Sequence, residues 1–221
     1  MKLLVNAVLK YTVGLVLVCL LMFLPAGTLS FFNGWLLVVL LFLPMLVLGI
    51  FLFCKKPKLL EKRLKSKEKK QAQKSVVAVS GILFIFGFIA AGLDFRFGIS
   101  KIPAWAIAVA SVILLISYVA YAEVMRENEY LSRVIEVQNG QKVIDSGLYS
   151  VVRHPMYAAT VCLFLSIPIV LGSFISLIFF LPYPVLIVIR IINEEKLLEK
   201  DLEGYAEYKK KVKFRLLPFI W

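Results

Sequence analysis

The chain reads as an all-α, polytopic membrane bundle of about six transmembrane helices, with a cytosolic helical tail at the C-terminus. Of its 221 residues, 61% are hydrophobic, far above the share a soluble domain carries. Apolar runs of spanning length recur at Val5 to Leu24, Phe31 to Phe53, Val76 to Leu93, Pro103 to Ala122, Met156 to Leu171 and Phe174 to Ile192. Between the second and third runs, Lys55 to Lys74 holds ten basic and two acidic residues, so it supplies +8 of the chain's net +12. Positive loops stay on the cytoplasmic side.

Each span follows from its own residues. The first is longer than a secretory signal and carries Asn6 and Lys10, so it reads as a retained helix although Pro25-Ala26-Gly27 imitates a cleavage site. With the basic loop in the cytoplasm, alternation places both termini, Glu123 to Arg153 and the tail after Ile192 on the same side. The Pro25 to Ser30 turn, the Asp94 to Lys101 loop and the Gly172-Ser173 turn fall on the other. The expected location is the plasma membrane, with multiple passes and a cytosolic site.

The same charge excludes less than it suggests. The basic run is tethered between two spans and lacks interleaved aromatics, so bilayer headgroups explain it better than nucleic acid does. Cys19, Cys54 and Cys162 have no metal-ligand spacing, and no metal site is expected. The chain divides by character into residues 1–122, a four-helix membrane scaffold with a basic cytosolic loop at 54–75, and residues 123–221. The second part holds the lone histidine, a helical hairpin at 155–192 and the tail.

The chemistry concentrates at the two polar mouths of that hairpin. Pro155 suits the first helical position and disfavours helical geometry in the residue before it, so His154 belongs at the helix N-cap. Met156 to Leu171 spans roughly 24 Å, short of the hydrocarbon thickness, and Pro182 and Pro184 should bend the return helix. A shallow cavity, open to cytosol and lipid, is the expected result. Glu194 and Glu195 lie about 100° apart on the return helix, which leaves the membrane there and continues to Gly204, so at most one faces a ligand while the other pairs with a cation such as Arg190 or Lys196. Taken singly, Tyr149, Tyr157, Tyr205 and Tyr208 read as an interfacial aromatic belt.

In order along the chain stand Val137-Gln138, Ser146-Gly147-Leu148-Tyr149, Arg153-His154-Pro155-Met156-Tyr157, Glu194-Glu195 with Leu198, Gly204-Tyr205, Glu207-Tyr208-Lys209-Lys210 and Leu217-Pro218-Phe219-Ile220. This ordered set resembles the isoprenylcysteine carboxyl methyltransferases and their prokaryotic relatives, and more loosely the phospholipid methyltransferases. The resemblance implies a methyltransferase that binds S-adenosylmethionine between the last two spans and the tail. It implies that Val137 and Gln138 line the adenosine side, that Gly147, Tyr149, His154, Pro155 and Tyr157 pack around the cofactor, and that Glu194 or Glu195 holds its polar end. It also implies that Arg215 faces the methyl acceptor and joins His154 as a catalytic residue. Ala159 stands where many members have glycine, and Phe214-Arg215-Leu216 replaces a proline-containing stretch.

Three functions follow as expectations. The first is carboxyl O-methylation of a lipophilic or lipidated acceptor. The second is N-methylation of a phospholipid or other small lipid, where His154 or a glutamate takes the amine's proton. The third is a non-enzymatic scaffold or transporter, disfavoured because the ionisable clusters sit at span boundaries rather than mid-span. The partners expected are the bilayer and the acceptor; the sequence does not fix an oligomeric state.

Overall fold

The computed structural model describes residues 1–64 and 71–221, the side chains of 71 and 72 excepted. Part of the basic loop at 54–75 therefore lies outside the described residues. The elements are helices α1 (Lys2–Ala26), α2 (Phe32–Lys55), α3 (Pro57–Leu64), α4 (Gln71–Phe97) and α5 (Ala104–Glu127), a 3₁₀ turn (Gly147–Ser150), then α6 (Pro155–Val170), α7 (Phe174–Phe180), α8 (Tyr183–Asp201) and α9 (Tyr205–Lys211). Among the described residues there is no strand.

Five helical stretches are long and apolar enough to cross a membrane, with α7 and α8 counting as one, and the 16-residue α6 is the shorter sixth. Their outward faces are apolar: Val5 and Leu9 of α1, Leu43 and Val47 of α2, and Ile116 and Val119 of α5 are all exposed. Lipid tails rather than water suit such a surface.

The helix ends obey the local signals. Gly27 adopts the left-handed conformation, and its N–H bonds Leu24 O and Phe23 O to close α1. Pro155 occupies the first turn of α6 with His154 as its N-cap, as the sequence requires. The return helix is interrupted rather than merely bent: α7 stops at Phe180 and α8 begins at Tyr183, with Pro182 as its N-cap. Expected to run to Gly204, α8 ends at Asp201, because Gly204 takes a positive φ of 81° and starts α9 instead.

One core joins the helices: Met22, Leu37, Phe88, Leu114, Ile167, Val170 and Phe180 pack together. α5 lies against α6, α1 against α4, and α4 against α7. Gly92 permits the α1–α4 approach, since a Cβ there would lie 2.3 Å from Met22 O.

At one end of the bundle, Asp94, only 2% exposed, accepts from Ser100 N at 2.7 Å, from Ser100 Oγ at 2.6 Å and from the Ser173 hydroxyl. Ser173 in turn caps α7 through Ser176 N. This ties the α4–α5 loop to the α6–α7 turn, which fits the alternation of spans read from the sequence. Removing a charged acceptor from such a network costs about 2 kcal/mol. Asp94→Ala should therefore lower the unfolding midpoint in detergent while ligand binding at the opposite end stays unchanged.

Candidate functional site

The opposite end of the bundle gathers residues from five separate segments. The start of α6 lies beside the C-terminal half of α8, and the tail after α9 returns between them: Arg153 N donates to Phe214 O and His154 N to Arg215 O, both at 2.9 Å. These two bonds fix the N-cap of α6 and the residue before it.

Beneath them sits Glu195, 3% exposed. Its Oε1 accepts from Arg153 Nε at 2.8 Å and its Oε2 from Arg215 Nε at 3.0 Å. His154 Nε2 lies 3.3 Å from Oε1; an ionised carboxylate only accepts, so that nitrogen carries the proton. Arg153 also donates Nη1 to Val212 O at 2.7 Å and Lys213 O at 2.9 Å. The buried charges are thus paired and multiply hydrogen-bonded, the condition under which such groups persist away from water.

Glu194 points elsewhere. Its Oε2 accepts from the Tyr157 hydroxyl at 2.5 Å, and that oxygen accepts from Arg190 Nε at 3.0 Å. Arg190 also donates to Gln73 Oε1 and, at 2.6 Å, to Arg133 O. The two neighbouring acids therefore serve different networks, as their angular separation demands. Glu195 finds its cations in Arg153 and Arg215, outside its own helix, while Arg190 reaches Tyr157.

Glu194 opens on a cavity of about 100 Å³ walled by Tyr149, His154, Tyr157, Tyr205, Tyr208 and the stretch 128–135. The four tyrosines are between 4% and 8% exposed, so they form an interior wall and not an interfacial belt. Burial pushes the Tyr149, Tyr205 and Tyr208 hydroxyls above the usual phenol range and keeps them protonated donors. Asn128 Nδ2 donates to Tyr149 Oη at 2.9 Å, and Tyr208 Oη donates to Tyr149 O at 2.7 Å. The Tyr205 hydroxyl is buried and has no partner among the described residues. A polar atom left so costs free energy until a ligand or water satisfies it.

The remaining expected residues lie around the cavity. Gly147 opens the 3₁₀ turn that carries Tyr149, at φ 53°. Pro155 starts α6 without lining the cavity. Val137 and Gln138 line an adjoining groove with Leu197 and Asp201, where Gln138 Nε2 donates to Tyr130 O at 2.5 Å. Arg215 sits over the Trp221 ring at 4.8 Å and outside the cavity wall. Among the described residues no cluster suits a metal ion.

Sequence reasoning missed Asn128, Glu127 and the structural use of Arg153. Glu127 Oε2 accepts from Leu148 N at 3.1 Å, and only the bare Cα of Gly147 hints that something lies close by.

The family model for phospholipid methyltransferases matches residues 103–203, a region that takes in α5 through α8 but ends before Tyr205 and Tyr208 of the cavity wall. The chain is also similar to the uncharacterized protein YpbQ of Bacillus subtilis (strain 168), with 30% identity over 121 residues, 54% of this chain and 70% of that protein. Matching sequence and an all-helical membrane bundle concur, and the chain belongs to the phospholipid methyltransferase family.

Proposed function

We propose that this protein transfers a methyl group from S-adenosylmethionine to a lipophilic acceptor, most like the carboxyl O-methylation of isoprenylcysteine. Family membership gives the coarser part, a membrane methyltransferase of lipid-like substrates. The observation that supports a cofactor site here is the cavity wall, where four tyrosines stand with the Glu194 carboxylate and the buried Tyr205 hydroxyl awaits a partner.

That donor set fits the cofactor. Glu194 suits its cationic groups, and tyrosine faces attract a sulfonium through their ring quadrupoles. The Tyr205 hydroxyl and the Asn128 amide offer polar contacts to the nucleoside, and Val137 and Gln138 would wall its adenosine side. When bound, the cofactor supplies a methyl group activated by positive charge on sulfur.

The chain's own residues do the rest. The Tyr157 hydroxyl is held between Arg190, which donates to it, and Glu194, which accepts from it, and this fixes the carboxylate that faces the cavity. Glu195 fixes His154 and Arg215 without touching the cavity. Of the Arg215 guanidinium nitrogens only Nε is engaged in a hydrogen bond among the described residues, so the terminal two remain to receive an acidic acceptor as a fork. A carboxylate acceptor needs no base, and a site poor in water favours the loss of charge as anion meets cation.

The test is methyl transfer from labelled S-adenosylmethionine into a membrane lipid extract by purified protein. Label released by mild alkali is expected, since an ester hydrolyses; alkali-stable label would assign N-methylation instead, and no transfer would refute the activity. Glu194→Gln removes the facing charge and should weaken cofactor binding about tenfold, or ~1.4 kcal/mol, in a calorimetric titration.

A further inference from the structure

From sequence, the basic segment after α2 sets topology and meets bilayer headgroups. Its described part folds against the bundle. Leu59 and Leu60 of α3 are buried with Leu52 and Met125, and the Lys10 ammonium donates to Leu64 O.

Three cations of this region then donate to backbone carbonyls in the last turn of α5 and just beyond it. Lys56 Nζ reaches Met125 O at 3.2 Å and Arg126 O at 2.9 Å, Lys62 Nζ reaches Glu129 O at 3.0 Å, and Arg63 Nη1 reaches Ser132 O at 3.2 Å. The first two acceptors belong to the last turn of α5, where carbonyls lack intrahelical partners and the helix dipole favours a cation.

Arg63 reaches furthest. It donates to the Tyr121 hydroxyl on α5, and its Nη1 lies 3.4 Å from Met156 Sδ on α6. Burial lowers its guanidinium to about 10, which leaves it charged at neutral pH. Of its three partners among the described residues, Ser132 and Met156 line the cavity. From the other side, Arg190 of α8 holds the next carbonyl, Arg133 O, at 2.6 Å. The stretch 128–135 has almost no regular structure of its own, yet it forms one wall of the cavity, and two guanidinium groups pin it at consecutive carbonyls.

We propose that Arg63 is a positioning residue of the cavity: supported by Lys56 and Lys62, it hangs the 128–135 wall on the amino-terminal half and so sets how closely the cavity fits its ligand. The ligand side of this inference rests on the reading of the cavity as the S-adenosylmethionine site. The wall itself is independent of that reading.

The experiment compares wild type, Arg63→Ala and Arg63→Lys in detergent. Hydrogen exchange is followed by mass spectrometry on ligand-free protein, and S-adenosylmethionine binding by calorimetry. In Arg63→Ala, amides within 128–135 should exchange at least tenfold faster while α6 keeps its protection, and cofactor affinity should fall about tenfold. Arg63→Lys keeps the charge and one donor, and should recover part of both losses. Unchanged exchange in 128–135, equal acceleration across α6, or faster exchange with undiminished affinity would each overturn the proposal. Failure of the wild type to bind S-adenosylmethionine would refute the cofactor reading instead, and the exchange measurement would still decide whether the clamp holds the wall.

Discussion

Glu195→Ala is expected to lower the stability of the protein by about 3–5 kcal/mol, the cost of removing one partner from a buried ion pair. Arg153 is 5% exposed, and without Glu195 it keeps two carbonyl acceptors but no counter-charge. His154 and Arg215 lose the same anchor, so the damage spreads from α8 to the start of α6 and to the tail. For a chain of this length the unfolding midpoint should drop by roughly 6–20 °C. Thermal unfolding in detergent, followed by far-ultraviolet circular dichroism, measures it directly. Glu195→Gln preserves volume and one acceptor oxygen, and should fall between the two. A midpoint within a degree or two of wild type for Glu195→Ala would mean that the two carbonyl acceptors suffice to hold Arg153.

This comparison with Glu194 matters for function. Glu194 faces the cavity and its loss should act on binding; Glu195 lies behind His154 and its loss should act first on the fold. Adjacent identical side chains separate into a ligand-facing and a structural role because a helix turns them to different neighbours.

What the sequence made legible was local. Apolar run length located the spans, Pro155 placed His154 at an N-cap, and Pro182 and Pro184 marked the break in the return helix, since each signal depends on a few neighbouring residues. The cavity depends on partners far apart in the chain. Arg153 meets Glu195 across 42 positions, Tyr208 meets Tyr149 across 59, and Arg63 meets Met156 across 93. No periodicity encodes those meetings. The tyrosines show the limit most clearly: each alone has the composition of an interfacial belt, and only the return of the tail over α6 turns them inward. The basic segment shows it again, because charge counts set topology without revealing that Lys56, Lys62 and Arg63 are spent on carbonyls.

Gly147→Ala should be comparably damaging, at about 3–4 kcal/mol, through a single methyl group. The residue sits at φ 53°, where an L side chain costs roughly 1–2 kcal/mol. An added Cβ would lie 1.3 Å from Glu127 Oε1 and 2.2 Å from its carboxyl carbon, so the carboxylate must leave. It then abandons Leu148 N, a hydrogen bond to a charged group worth about 1.5–3 kcal/mol. The 3₁₀ turn that carries Tyr149 loses its anchor to α5, and with it the Asn128 contact that holds the Tyr149 hydroxyl at the cavity. Cofactor affinity should fall together with stability. A double-mutant cycle separates the causes: Glu127→Ala alone loses the hydrogen bond, while Gly147→Ala in the Glu127→Ala background retains only the backbone strain. The double variant should therefore be less destabilised than the sum of the singles by about the value of that bond. Strict additivity would show that Glu127 and Gly147 act independently, and that the turn owes its position to Tyr208 and Asn128 instead.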